Sequence, residues 1–102
     1  MIHVIATIQT PFGRRDDLLA AFRELIPQVR AEAGCIEYGT AVDLATPIAV
    51  AAAVRDDAVS VVERWESVEA LQAHLVAPHM LRHRERVKDM VSGVEIRVLT
   101  PA

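Results

Sequence analysis

The order of elements that the sequence predicts is strand, helix, strand, strand, helix, strand. That is the α+β, ferredoxin-like βαββαβ arrangement, with both helices on one face of a four-stranded antiparallel sheet. Three observations predict it. Four stretches alternate apolar and polar residues with the period of a strand. Two stretches repeat apolar residues every three or four positions, as a helix does. Hydrophobic residues reach 52% of the 102 residues, a share high for a soluble monomer, and both faces of several strands carry them. The apolar excess predicts a homodimer whose two sheets pack face to face, about 10 Å apart. The length favours one domain spanning 1–102.

Residues 2–10, IHVIATIQT, alternate Ile2, Val4, Ala6 and Ile8 against His3, Ile5, Thr7 and Gln9, and Pro11 and Gly13 then turn the chain. Residues 14–33 carry Leu18, Phe22, Leu25 and Val29 on one helical stripe, widened by Leu19 and Ile26. Asp16 and Asp17 suit the first turn and Gly34 the stop, whereas Pro27 inside the span predicts a kink. Residues 35–42, CIEYGTAV, read as a second strand with Tyr38 on the face of Ile36, Thr40 and Val42. In 43–57, Pro47 and Arg55-Asp56-Asp57 bracket IAVAAAV, which suits either a hairpin extension or a flap over a pocket.

Residues 58–66 place Val59, Val61, Glu63 and Trp65 on one face and Ser60, Val62 and Arg64 on the other. Ser67 can cap the helix that follows, which carries Leu71, His74 and Leu75 and is interrupted at Pro78. Its continuation over 79–91 sets Met80, His83, Val87 and Met90 on one stripe. After Gly93, VEIRVLT forms the last strand, with Val94, Ile96 and Val98 together.

Charge and cysteine content exclude several functions. The net charge is −3, and Arg82, Arg84, Arg86 and Lys88 are interrupted by Glu85 and Asp89, so they read as a solvated helix face rather than a nucleic-acid surface. Cys35 is the only cysteine, which rules out an internal disulfide and a cysteine-built metal cluster within one chain. The longest apolar run has seven residues against the ~20 needed to span a bilayer. Met1 leads directly into a strand pattern without a signal-peptide layout, so the expectation is a soluble, cytoplasmic protein without a membrane partner.

Two motifs carry a resemblance. GCIEYGTAVD follows an amphipathic helix with a glycine and a tyrosine-bearing strand; VVERWESVEALQAHLVAPHM joins a strand ending in E-R-W-E-S to a helix with A-L-x-x-H-x-x-x-P-H. With these, nearly the whole chain resembles the antibiotic biosynthesis monooxygenase superfamily, and within it the small quinol monooxygenase-like proteins. The resemblance implies a dimeric α+β barrel. It also implies oxygenation of an electron-rich aromatic, a hydroquinone or polyphenol going to a quinone with O2, without metal, flavin or haem. Haem degradation by some relatives uses a pocket asparagine, and this sequence has no asparagine.

Such chemistry asks for a base, a dry cavity and a means of orienting the ring. His74 is the candidate for proton transfer and Trp65 for orientation, with its N–H on a substrate or peroxide oxygen. Tyr38 and His79 are weaker candidates for substrate binding. Each has an ordinary alternative: a core Trp, a His bonded to a neighbouring backbone, a Tyr at an interface. Glu63 or Arg64 must point inward or sit at the rim, where a salt bridge is the simpler expectation. His79 and His83, four apart, lack an obvious third ligand, so no metal site is expected. A rival reading is a non-catalytic dimeric module that binds a small aromatic ligand.

Overall fold

A computed structural model describes residues 1–102. Strands β1 (Ile2–Gln9), β2 (Cys35–Ala41), β3 (Ala58–Trp65) and β4 (Gly93–Leu99) form one antiparallel sheet in the order β2-β3-β1-β4. Helices α1 (Arg15–Arg30), α2 (Val68–Leu75) and α3 (Pro78–Val87) lie on one side, and a 3₁₀ turn at Lys88–Met90 leads into β4. This is the ferredoxin-like α+β architecture that the alternation patterns predict.

The alternation of β1 and β3 decides where the core sits. Val4, Ala6 and Ile8 face the helices beside Val59, Val61 and Trp65, and meet Leu18, Phe22, Leu25 and Val29 of α1. Helix α1 rests against β2 and β3, and α2 against β3, so β4 is left uncovered. Val94, Ile96 and Val98 pair with Ile8, Ala6 and Val4 on the helix side, yet all three stay roughly half exposed.

Several local expectations change. Pro27 lies inside α1, which continues past it to Arg30. Pro27 and Arg23 are both on the exposed face, so water can satisfy the carbonyl that proline leaves unpaired. The interruption at Pro78 is a full break between α2, which ends at Leu75, and α3: Pro78 occupies the first turn of α3 behind an extended Ala77, where its missing N–H has no intrahelical partner to lose. The continuation ends at Val87 and tightens into the 3₁₀ turn instead of running to 91. A bulge between Cys35 and Glu37 sets two steps of β2 against one of β3. Ile36 therefore leaves the face of Tyr38 and is exposed, while Tyr38 points into the core.

Residues 43–57 form neither a hairpin nor a flap over the helix-side cavity. They are a loop without strands, whose neck is closed by Arg55: its backbone N–H and guanidinium donate to the Asp43 carboxylate at 2.9, 2.8 and 2.9 Å. That pairing holds the Asp43 carboxyl down at about 2. No helix is long and apolar enough to cross a membrane.

Candidate active site

The side chains that carry chemistry converge because three chain turns end at the same place. The turn after α1 presents Glu32. The last turn of α2, started by Ser67 whose hydroxyl accepts from the Ala70 N–H at 3.1 Å, presents His74. The first turn of α3 presents His79. His74 Nδ1–H donates to Glu32 Oε2 at 2.8 Å, and His79 Nε2–H donates to the same oxygen at 2.9 Å. A carboxylate only accepts, so both ring nitrogens facing it carry the proton. The Nε2 of His74 is then the ring nitrogen without a protein partner.

Beneath His74, β3 supplies Trp65 and Glu63 from its inward face. The indole is fully buried, its centroid is 4.7 Å from the His74 ring, and its Nε1–H donates to Glu63 Oε1 at 2.9 Å. Tyr38 meets the His74 ring edge-on at 5.5 Å between centroids. Burial governs the electrostatics. It pushes the Glu63 carboxyl up to about 7, against the pull of the Trp65 hydrogen bond. It pushes the Tyr38 hydroxyl far above its ordinary range, with the Glu63 and Glu32 charges adding to the effect. It lowers His74 more than Glu32 raises it. His83, packed on Phe22 at 4.7 Å, is lowered to about 4 by burial and then by Arg86 and Arg84.

Between the sheet and the helices lies a cavity of about 360 Å³ with mostly apolar walls. Its polar lining comes from Tyr38, Glu63, His74 and His83, with Arg84 and Lys88 among the residues around it. Val94 and Ile96 of the uncovered β4 form one wall. The volume is in the range of small-molecule sites.

Of the residues singled out in the sequence, His74 and Tyr38 line this cavity and Trp65 stands behind them. The indole N–H is committed to Glu63 rather than open to a substrate, because a donor buried so deeply needs a fixed partner. His79 lies outside the lining, on the far side of Glu32. Glu63 is not part of a rim salt bridge: Arg64 points the other way and pairs with Glu37 at 2.9 Å. Strand alternation already set Glu63 on the face of Trp65, a signal sufficient to find it. Glu32 was missed, since it is 42 positions from His74 and in a turn without periodicity. Arg82, Arg84, Arg86 and Lys88 are all exposed, as a solvated helix face should be, and some of them also have partners. Arg84 donates to the Leu75 carbonyl, Arg86 pairs with Glu24, and Arg84 and Lys88 border the cavity.

Comparisons with known proteins agree with this geometry. The family model described as antibiotic biosynthesis monooxygenase matches residues 1–86. The protein named "Probable quinol monooxygenase YgiN" from Escherichia coli (strain K12) is 38% identical over 103 aligned positions, covering 99% of this chain and 98% of that one. A Shigella flexneri protein of the same name matches equally. Among solved structures, PA3566 from Pseudomonas aeruginosa superposes with a TM-score of 0.81 at 27% identity, covering 99% of this chain and 93% of that one. Rv0793 from Mycobacterium tuberculosis gives 0.79 at 28%, covering 99% and 94%. The chain belongs to the antibiotic biosynthesis monooxygenase family and is an oxidoreductase of the monooxygenase kind.

Proposed function

We propose that this protein oxidises a hydroquinone or polyphenol-type aromatic to a quinone with O2, acting as a homodimer. The observation that carries the reading is His74. One ring nitrogen is fixed by Glu32, the other has no protein partner, and the ring borders an apolar cavity of ring-accommodating size. The 38% identical relative is named "Probable quinol monooxygenase YgiN", which supports the same substrate class.

Ground-state dioxygen is a triplet and reacts slowly with a neutral quinol, but readily accepts an electron from its anion. His74 Nε2 takes the phenolic proton. The quinol anion passes one electron to O2, the resulting radical pair joins at a ring carbon as a peroxide anion, and the proton held by His74 returns to make it a hydroperoxide. Loss of the ring hydrogen with cleavage of the O–O bond leaves a carbonyl on the ring and releases the second oxygen as water. In sum, the quinol gains one oxygen atom and gives up two hydrogen atoms, which leave with the other oxygen atom as one molecule of water. Glu63, protonated below about 7, is placed to supply the proton for the departing oxygen. Tyr38 stays neutral and can hold a substrate oxygen by donating a hydrogen bond. Trp65 orients rather than reacts: it packs on His74 and holds Glu63.

The test is oxygen uptake with reduced naphthoquinols and catechols. His74→Ala, confirmed as folded by circular dichroism, should lose about 10²–10⁴-fold in rate, the usual contribution of a positioned base. A folded variant that consumes oxygen at the parent rate removes His74 from the mechanism. Ligand binding without turnover in the parent protein would make it a binding module instead.

A further inference from the structure

We propose that Glu32, His74 and His79 form a binding site for a divalent transition-metal ion of the zinc type, whose occupation would switch His74 off as a base. Glu32 Oε2, His74 Nδ1 and His79 Nε2 all lie within 4.8 Å of one another. They come from three separate turns, so each can move without distorting a shared helix. Spacing in the sequence pointed to His79 with His83, but His83 packs on Phe22 and faces the cavity, and the third ligand comes instead from the turn after α1.

The donor set is two imidazoles and one carboxylate. It suits zinc, cobalt, nickel or copper better than magnesium or calcium, which prefer oxygen. A four-coordinate zinc needs ligand atoms about 3.3 Å apart, given bonds of about 2.0–2.2 Å. The present contacts of 2.8 and 2.9 Å are hydrogen bonds, so admitting the ion asks for a spread of about half an ångström and expulsion of the protons between the groups. His74 is almost fully enclosed, whereas the Glu32 and His79 side chains retain 14% and 17% of their exposure and offer the route in. Three protein ligands leave a fourth position for water.

Binding has a definite chemical consequence. The metal takes the lone pair of His74 Nδ1, so the proton formerly there moves to Nε2. His79 shifts its proton from Nε2 to Nδ1 in the same way. No net proton need leave either neutral ring, but His74 now presents an N–H where it presented a lone pair. This consequence rests on the function proposed above; the metal site itself does not.

Zinc added to chelator-treated protein at pH 7.5 and followed by calorimetry should bind one ion per chain. Glu32→Gln and His79→Ala should each weaken it at least tenfold, while His83→Ala leaves it unchanged. Cobalt should give the visible absorption of a tetrahedral site, lost in the same two variants. Imidazole ¹⁵N spectra should show the protonated nitrogen of His74 changing from Nδ1 to Nε2 on zinc addition, a readout independent of turnover. Absence of saturable binding, binding as tight in His79→Ala and Glu32→Gln as in the parent, or loss in His83→Ala overturns the site. If oxygen uptake is present, it should fall in proportion to zinc occupancy; uptake unaffected by full occupancy overturns the switch. If the parent shows no uptake with any quinol, the function fails while the calorimetric and ¹⁵N results still decide the site.

Discussion

Burial gives Glu63 a protonation behaviour unlike that of an ordinary carboxylic acid. Its carboxyl is raised from 4.5 to about 7, chiefly by burial. The folded state therefore holds this proton between those two pH values while the unfolded chain has released it. Its contribution to stability is complete below about 4.5 and is lost as pH rises to about 7, an effect on the order of 3 kcal/mol. His83 acts in the opposite sense: lowered to about 4, it contributes stability above 6.5 that is lost as pH falls towards 4. The two partly cancel in the parent protein, so the sign is best read from a difference. Glu63→Gln keeps an acceptor for the Trp65 N–H, and its melting temperature relative to the parent should climb as pH goes from 5 to 8; a flat difference contradicts the buried, protonatable carboxyl. Trp65→Phe removes the hydrogen bond that stabilises the charged form, so the Glu63 carboxyl should titrate above its present value in ¹³C spectra. His74, Tyr38 and Trp65 were legible in the sequence because each sits in a periodic element next to apolar neighbours. Glu32 was not, because only tertiary folding brings a turn residue beneath two histidines.

At the scale of elements, two joints set the site. Ser67 caps α2 and so fixes where its last turn delivers His74. Ser67→Ala should cost about 1 kcal/mol of stability, measured by urea unfolding. Gly34 is the second joint. Its φ of +82° is one that residues with a Cβ rarely adopt, and an added Cβ would lie 2.6 Å from the Ala70 Cβ on α2. The same glycine's carbonyl accepts the Glu66 N–H at 2.9 Å, tying the end of β3 to the start of β2. Gly34→Ala should therefore destabilise through both backbone conformation and contact. In an Ala70→Gly background the contact is relieved and only the backbone cost of about 1–2 kcal/mol should remain. Equal costs in the two backgrounds would show that contact with α2 plays no part. The sequence marked Gly34 as a stop, but its tight fit against Ala70 needed the packed structure. Periodicity gave the strands to within a residue but ran α1 three residues past Arg30, and it was misled at Ile36, where a bulge obeys hydrogen-bond geometry rather than apolar spacing.

At the scale of the molecule, one chain exposes more surface than its size warrants. A compact monomer of 11.2 kDa should expose about 5,700 Å², and this one exposes 6463 Å². Its radius of gyration is 14.1 Å, where about 12.8 Å is usual for this length. The surplus area is close to the roughly 800 Å² that each partner buries in a standard protein–protein interface. Large apolar side chains are among the exposed residues. Ile5 and Val62 pair on the sheet face that no helix covers, Arg97 lies beside Ile5 on β4 with Leu99 two residues further along opposite His3, and Leu44 and Val50 project from the loop pinned by Asp43 and Arg55. We propose that a second copy of the chain covers this face, the arrangement that the apolar excess of the sequence predicts. Charge on the Ile5–Val62 pair should then be intolerable to association but harmless to the core, since both side chains point away from the helices. Sedimentation equilibrium at micromolar concentration should give twice the chain mass for the parent and a shift towards the single-chain mass for Val62→Lys, with the circular dichroism unchanged. A parent protein that sediments as a monomer under these conditions would mean that the exposed sheet face stays in water and that the cavity is complete in one chain.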